Sequence, residues 1–466
     1  ALSVMGQDTR PEATHALLGT LTDENDRLVL RVELKDLRSE APVTQWTGVY
    51  GRAQLRYAPV ALAGVVSSGL HLPAPAELAT ISTTAEPLYR QALALTRQDS
   101  RIDEALAVLE RVIALDPDSA LPYAALAEAQ WRKYFLLRDT AWSERARQSV
   151  DEAEIRNPDC AEVHNIAALL EIYRDRREQA IARLLRATEF PSVNSDPYRR
   201  LGAMYQRSGQ FPEALQALRK AVALEPAFFR SHQDLASFHL SRGDYAEAAK
   251  EYDTAIRLAP DVPQLHALLA ACRKSQGRFV EAEAGLRQAI AISPAATTMT
   301  ELGHVLLYQR KERDAIPWFQ RAVAANPKGY YAWVYLGVSL RRAARAAEAK
   351  QAFRRALRLV EGDVARNPRS GYERAFLGYL CAETGDAVRA EAEAAQALQS
   401  SPANVDAIEV VALTYEAIGK RERALSVLNS APRPVLENIQ RWPDASNLAR
   451  DKRFLALLAS ARGSQT

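Results

Sequence analysis

The residues able to do chemistry are scattered along this chain. Seven histidines and three cysteines occur in 466 residues. His232 and His239 stand seven apart on one helical stretch, and His266 repeats the His232 position one period later. A metal site there would need further ligands, so each ring is expected to pack or to hydrogen-bond. Cys160, Cys272 and Cys381 show neither metal spacing nor a disulfide framework and read as buried thiols. Glu213 and Glu247 lie beside alanines on helical stretches, and nothing sets them across a cleft as acid and base. No phosphate-cradling GxxxxGK[ST] or GxGxxG loop, no HExxH and no GxSxG occurs. No cofactor, metal or catalytic residue is therefore expected. The densest aromatic cluster is Tyr330, Tyr331, Trp333 and Tyr335. Trp333 reads as core; for Tyr331 core packing and a binding role stand about level.

Those residues need elements to hold them. The chain is too long for one ordinary core, so several domains or a repeat array are expected. Hydrophobic residues make up 48% and charged residues 25%, the balance of a soluble folded protein. A net charge of +3 gives no general argument for nucleic acid. No apolar run reaches the about 18 residues of a membrane helix. The chain does not begin with methionine, so the absence of a visible signal peptide says little.

Prolines close a repeating unit at positions 117, 158, 191, 226, 260, 294, 327, 368 and 402, in steps of 41, 33, 35, 34, 34, 33, 41 and 34. Each unit carries two amphipathic stretches at helical spacing, divided by a turn such as "SGQF", "RGDY" or "QGRF". Small residues recur in the first stretch at Gly202, Ala236, Ala270, Gly303, Gly337, Gly378 and Ala412. Alanine follows twelve later, from Ala214 to Ala424, and a bulky residue four after that: Leu218, Tyr252, Leu286, Phe319, Phe353 and Leu428, with Ala394 in the ninth unit. The order predicts that the helices of a unit cross closely at the small residues, Ala214 beside Gly202, with large residues filling in. Unit two has seven extra residues near "KYFLLRDTAWSE", expected between its helices. Unit eight has seven extra in "RLVEGDVARNP", two turns of a longer second helix.

This pattern resembles the tetratricopeptide repeat (TPR) family over about residues 86 to 436. The resemblance implies an all-α, right-handed superhelix of about ten helix-turn-helix repeats. The domains expected are a small α+β subdomain over 1–81, the solenoid over 82–436, and a capping helix and tail over 437–466 that would cover the last unit's open face. In that family certain positions of the first helices line a concave groove. Carried onto this chain they are Arg199, Gln206, Arg207, Arg230, Gln233, Lys274, His304, Tyr308, Tyr331, Arg341, Arg342 and Tyr379. Tyr372, Glu383, Asp406, Glu409 and Glu416 continue the set at an acidic end. The basic middle suits a protein or peptide partner carrying carboxylates. The family's clamp for a C-terminal carboxylate is not matched, because Ala203 stands where it needs Asn.

Before residue 82 the period is absent. "ATHALLGTL", "RLVLRVELKD" and "PVTQWTGVY" read as strands, with "TDENDR" as the first turn and "LRYAPVALAGVVSSGL" as a helix. This piece is expected to dock on the first repeats or to continue an upstream domain. Gly19, Val32, Leu34, Trp46 and Tyr50-Gly51-Arg52, with the ending around Phe454, resemble a region of bacterial receptor-type serine/threonine protein kinases and TPR-bearing cyclases or regulators. No kinase loop occurs in this chain. The expectation is a non-catalytic interaction scaffold; the alternative is the regulatory half of a signalling enzyme. The first would be cytoplasmic, the second extracytoplasmic if part of a receptor kinase.

Overall fold

The structure, a computed structural model, describes residues 14–24, 27–50, 55, 58–70, 81–190 and 194–463. The centre of the first turn, Gly51, Arg52, most of the 71–87 linker and Pro191 lie outside them. Contacts divide the chain into two compact units, Ala1–Phe238 and His239–Thr466.

The first unit opens with an antiparallel sheet in the order β1-β2-β3, formed by His15–Glu24, Arg27–Asp36 and Pro42–Tyr50. Alternation in β2 buries Val32 and Leu34, as period two requires. Helix α1 (Ala58–Gly69) packs on β3, and Ala58, Ala61 and Val65 meet Val32, Trp46 and Tyr50.

Helices then follow in chain order. The first unit holds α2 (Glu86–Thr96), α3 (Ile102–Leu115), α4 (Leu121–Leu137), α5 (Thr140–Arg156), α6 (Ala161–Tyr173), α7 (Arg177–Glu189), α8 (Asp196–Arg207) and α9 (Phe211–Leu224). Helix α10 (Phe229–Ser241) contains the boundary. Then come α11 (Tyr245–Leu258), α12 (Pro263–Ser275), α13 (Phe279–Ile292), α14 (Ala296–Tyr308), α15 (Glu312–Ala325), α16 (Tyr330–Arg342), α17 (Ala346–Arg366), α18 (Gly371–Thr384), α19 (Ala387–Ser400), α20 (Val405–Ala417) and α21 (Arg421–Leu428). The tail is α22 (Arg433–Arg441), α23 (Ser446–Ala449) and α24 (Lys452–Gly463).

The small residues meet the bulky ones directly. A Cβ added to Gly202 would lie 2.5 Å from Leu218, and its three nearest atoms all belong to Leu218. The same 2.5 Å approach joins Gly303 to Phe319 and Gly337 to Phe353. Where the bulky residue is Ala394, the backbone closes in instead: a Cβ on Gly378 would meet the Ala390 carbonyl at 3.1 Å. Ala214 is fully buried beside Leu218, Leu235 and Phe238. The long side chain thus lies over the glycine, and the alanine leaves it room.

A second regularity concerns the unit prolines. At four of the nine the residue six later returns a side-chain N–H to the proline carbonyl: His232 Nε2 to Pro226 (3.0 Å), His266 Nε2 to Pro260 (2.8 Å), Trp333 Nε1 to Pro327 (3.2 Å) and Arg374 Nη2 to Pro368 (3.0 Å). Each bond ties the loop to the helix after it and accounts for the repeated histidine position.

Three expectations need adjustment. Unit two's extra residues lengthen α4 and α5 to 17 residues each, rather than the loop between them. Arg138 turns the chain at φ 58° and the Asp139 carboxylate caps α5 through the Ala141 N–H. The expected docking of the sheet on the first repeats narrows to the third helix pair: Ala161 and Phe190 join its core, and Arg186 Nη2 donates to the Thr47 carbonyl (3.0 Å) and to Asp159 (2.9 Å). The tail does more than cover the last pair. Helix α24 packs on α21 and α22, with Phe454 and Leu458 buried, but the segment from Asn438 to Asp444 crosses the first helices of the second unit. Unit eight's second helix is longer, as expected, at 21 residues.

Candidate binding sites

In the first unit α2, α4, α8 and α10 surround a cavity of about 770 Å³. Arg97, Arg132, Arg199, Arg200, Arg207 and Arg230 line it, against the acids Glu128, Asp196 and Asp234. Phe228 and Phe229 supply apolar wall. Proline in the first turn of α4 and α8 fixes where these helices start, and so which residues face the cavity.

The charges differ in how they are met. Arg199 contacts Asp196 at 2.5 Å and Asp234 at 2.6 Å. Burial opposes its charge, but Asp234 and Asp196 outweigh that and hold its pKa up. Burial raises the Asp234 carboxyl against the pull of Arg199. Arg230 is in no ion pair among the described residues and lies over the Phe229 ring at 5.7 Å. Burial lowers its pKa, and repulsion from Arg132 and Arg199 lowers it further. The cavity lining therefore carries more guanidinium groups than carboxylates.

In the second unit Lys274, His304, Tyr308 and Tyr331 meet around a cavity of about 190 Å³. Ser275, Tyr335, Tyr372, Phe376, Asp406, Glu409, Val410, Asn438 and Arg441 complete its lining. Lys274 is held by Glu301 at 2.6 Å. His304 is 7% exposed, neither ring nitrogen has a hydrogen-bond partner among the described residues, and burial pushes its pKa down to about 4. Tyr379 lines a smaller space of about 20 Å³ with Tyr335, Glu409 and Trp442.

Arg341 and Arg342 face a partner within the chain. Asp444 of the tail accepts from Arg341 Nη2 (2.5 Å) and Arg342 Nη1 (3.2 Å). Arg341 also pairs with Glu383, and Arg342 with Glu312 at 2.8 Å. Between these contacts Trp442 packs edge-on against His304 and Tyr335, at 5.9 and 5.6 Å.

Of the twelve groove positions, Arg199, Gln206, Arg207 and Arg230 come together in the first unit, and Gln233 is not in that cavity's lining. Lys274, His304, Tyr308 and Tyr331 come together in the second. Repeat logic missed Arg97, Arg132 and Arg200 in the first and Asn438, Arg441 and Trp442 in the second. Among the described residues no group of His, Cys, Asp or Glu is placed to hold a metal, and no helix is long and apolar enough to cross a membrane. Cys160, Cys272 and Cys381 are all buried.

Tetratricopeptide-repeat family models match residues 88–119, 205–272 and 300–364. The chain therefore carries tetratricopeptide repeats in these three stretches. Repeats of this kind make protein–protein interaction scaffolds. No curated protein matches the chain. Among solved structures it is similar to the MamA protein, 20% identical with a TM-score of 0.34 over 37% of this chain and 94% of that one. It is similar to YrrB, described as a TPR protein with an unusual peptide-binding site, at 19% identity and a TM-score of 0.30 over 42% and 97% of the two chains. PilF of Pseudomonas aeruginosa is 20% identical, with a TM-score of 0.36 over 46% and 95%.

Proposed function

We propose that this chain is a non-catalytic scaffold whose first-unit cavity receives an acidic segment of a protein partner. The observation that carries the reading is the excess of guanidinium groups over carboxylates there, with Arg230 half-buried among like charges. A carboxylate-bearing peptide would relieve that repulsion and accept charge-assisted hydrogen bonds. Phe228 and Phe229 would take an apolar neighbour in the same segment. On this reading the repeats of the 82–436 region would supply the surface, with the 1–81 piece before them in sequence and the 437–466 piece after them.

A glutamate-rich peptide tests the reading. Arg207→Glu with Arg230→Glu should keep the helical circular dichroism and weaken capture about tenfold or more. Wild-type binding should also weaken as salt shortens the screening length below about 8 Å. Affinity that ignores both the reversals and the salt would sink it.

One observation favours a second reading, the regulatory half of a signalling enzyme. Gly19, Val32 and Trp46, three residues of that resemblance, stand opposite one another across the three strands. They thus form one row of a packed sheet. An effector domain encoded beside this sequence would support that reading, and its absence from the gene would remove it.

A further inference from the structure

The second unit's cavity differs in chemistry from the first. Its walls are aromatic: Tyr308, Tyr331, Tyr372 and Phe376. Its acids are Asp406 and Glu409, one turn apart on α20. Neither is in an ion pair among the described residues; Glu409 accepts only the Asn438 amide, at 3.0 Å. The two cations at the lining are already committed, Lys274 to Glu301 at 2.6 Å and Arg441 to Glu437 at 3.5 Å. His304 lines the cavity as well, nine-tenths buried with both ring nitrogens unpartnered among the described residues. A neutral imidazole offers one acceptor nitrogen.

We propose that this cavity binds an alkylammonium group, its charge met by Asp406 and Glu409 and its methylenes by the tyrosine faces. An ammonium ion carries three donors and no acceptor, which matches two carboxylates and one imidazole nitrogen. Aromatic faces attract such cations, more strongly where water is displaced. A lysine side chain of a partner segment and a free polyamine share this chemistry. The site is separate from the basic cavity of the first unit and does not depend on that reading.

The protonation of Glu409 supports the assignment. Burial raises it to about 7, the Asn438 bond opposes that, Asp406 adds to it, and Lys274 pulls the other way. Tyr308, Tyr331, Tyr335 and Tyr372, from the neighbouring helices, surround the cavity as neutral hydroxyls, with Arg441 at its edge. Entry of a cation near pH 7 ionises Glu409 and releases a proton.

Calorimetry on the full chain tests this with spermidine and with a lysine-rich peptide, each at pH 7 in buffers of different ionisation enthalpy. The expected result is binding of at least one probe, with heat that varies between buffers because protons leave. Spermidine alone would point to a free polyamine, the peptide alone to a partner's lysine. Glu409→Gln with Asp406→Asn should weaken binding about tenfold or more, while Arg207→Glu with Arg230→Glu in the first unit should not. The buffer-dependent heat needs no variant, so it stands even if the amide variant fails to fold. Absence of binding by both probes, or binding with neither proton release nor response to the amide variant, would overturn the proposal.

Discussion

Gly303→Ala isolates the contact that sets the helix-pair spacing. The added carbon would sit 2.5, 2.7 and 2.8 Å from three ring atoms of Phe319. Carbon atoms rest at about 3.5–4.0 Å, so the ring must retreat by about 1 Å. It has no room to do so: Phe319 is fully buried, and Tyr335 stacks behind it at 5.9 Å with 16° between the planes. Overpacking of this kind costs about 1–3 kcal/mol. Alanine is also the better helix former, by about 1 kcal/mol, which works in the opposite direction. Gly362, inside α17, supplies the control, because a Cβ there meets nothing within 4 Å. Gly362→Ala should therefore stabilise by about 1 kcal/mol, and the difference between the two variants reports packing alone. Repeat arrays can unfold in stages, so amide hydrogen exchange is the suitable assay. Read each in its own helix pair, α14–α15 for Gly303→Ala and α16–α17 for Gly362→Ala, the change in exchange relative to the wild type should differ between the two variants by a factor between about 5 and 150, with Gly303→Ala the faster. Equal protection in the two would show that Phe319 is not pinned and that glycine is there for another reason.

Ala344 turns the chain between α16 and α17 at φ 61°, where Gly209, Gly243, Gly277, Gly385 and Gly419 turn other pairs. Ala344→Gly should raise the thermal midpoint, by about 1 kcal/mol of relieved strain; an unchanged or lower midpoint would contradict this. Two titrating groups of the second unit oppose each other. His304 has its pKa lowered from 6.5 to about 4, so the unfolded chain takes that proton first and stability falls as pH drops between those values. Glu409 has its pKa raised from 4.5 to about 7, so the folded chain takes that proton first and stability grows as pH drops through that window. Urea midpoints between pH 4.5 and 6.5 should be nearly flat for the wild type, rise on acidification in His304→Asn, and fall in Glu409→Gln; slopes of the same sign in both variants would refute the assignment.

The repeats were legible because each unit writes its own punctuation. Proline ends the second helix, glycine sits under a bulky side chain, and both recur at a fixed step. Legibility failed where a unit used other means to the same end. Arg138 takes a left-handed turn without glycine, so the lengthened α4 and α5 looked like a loop. The sites show the same division. Lys274, His304, Tyr308 and Tyr331 occupy equivalent faces of successive first helices, and repeat position alone assigned them to one surface. The tail obeys no period. Arg341 and Asp444 are 103 residues apart in sequence, and nothing local to either forecasts their ion pair. Arg97 and Arg132 escaped notice for a related reason, since the earliest units depart from the small-residue pattern.

The bonds to the unit prolines carry an implication for how such a chain diverges. The socket asks for reach and an N–H, not for a particular side chain; histidine, tryptophan and arginine all fill it. In the genetic code histidine and arginine are one base apart, and so are arginine and tryptophan. A lineage can therefore walk from ring to guanidinium to indole without passing through an intermediate that leaves the carbonyl bare. Homologous repeats should show those three residues exchanging at this column, while aliphatic residues there should coincide with a loop rebuilt around another donor.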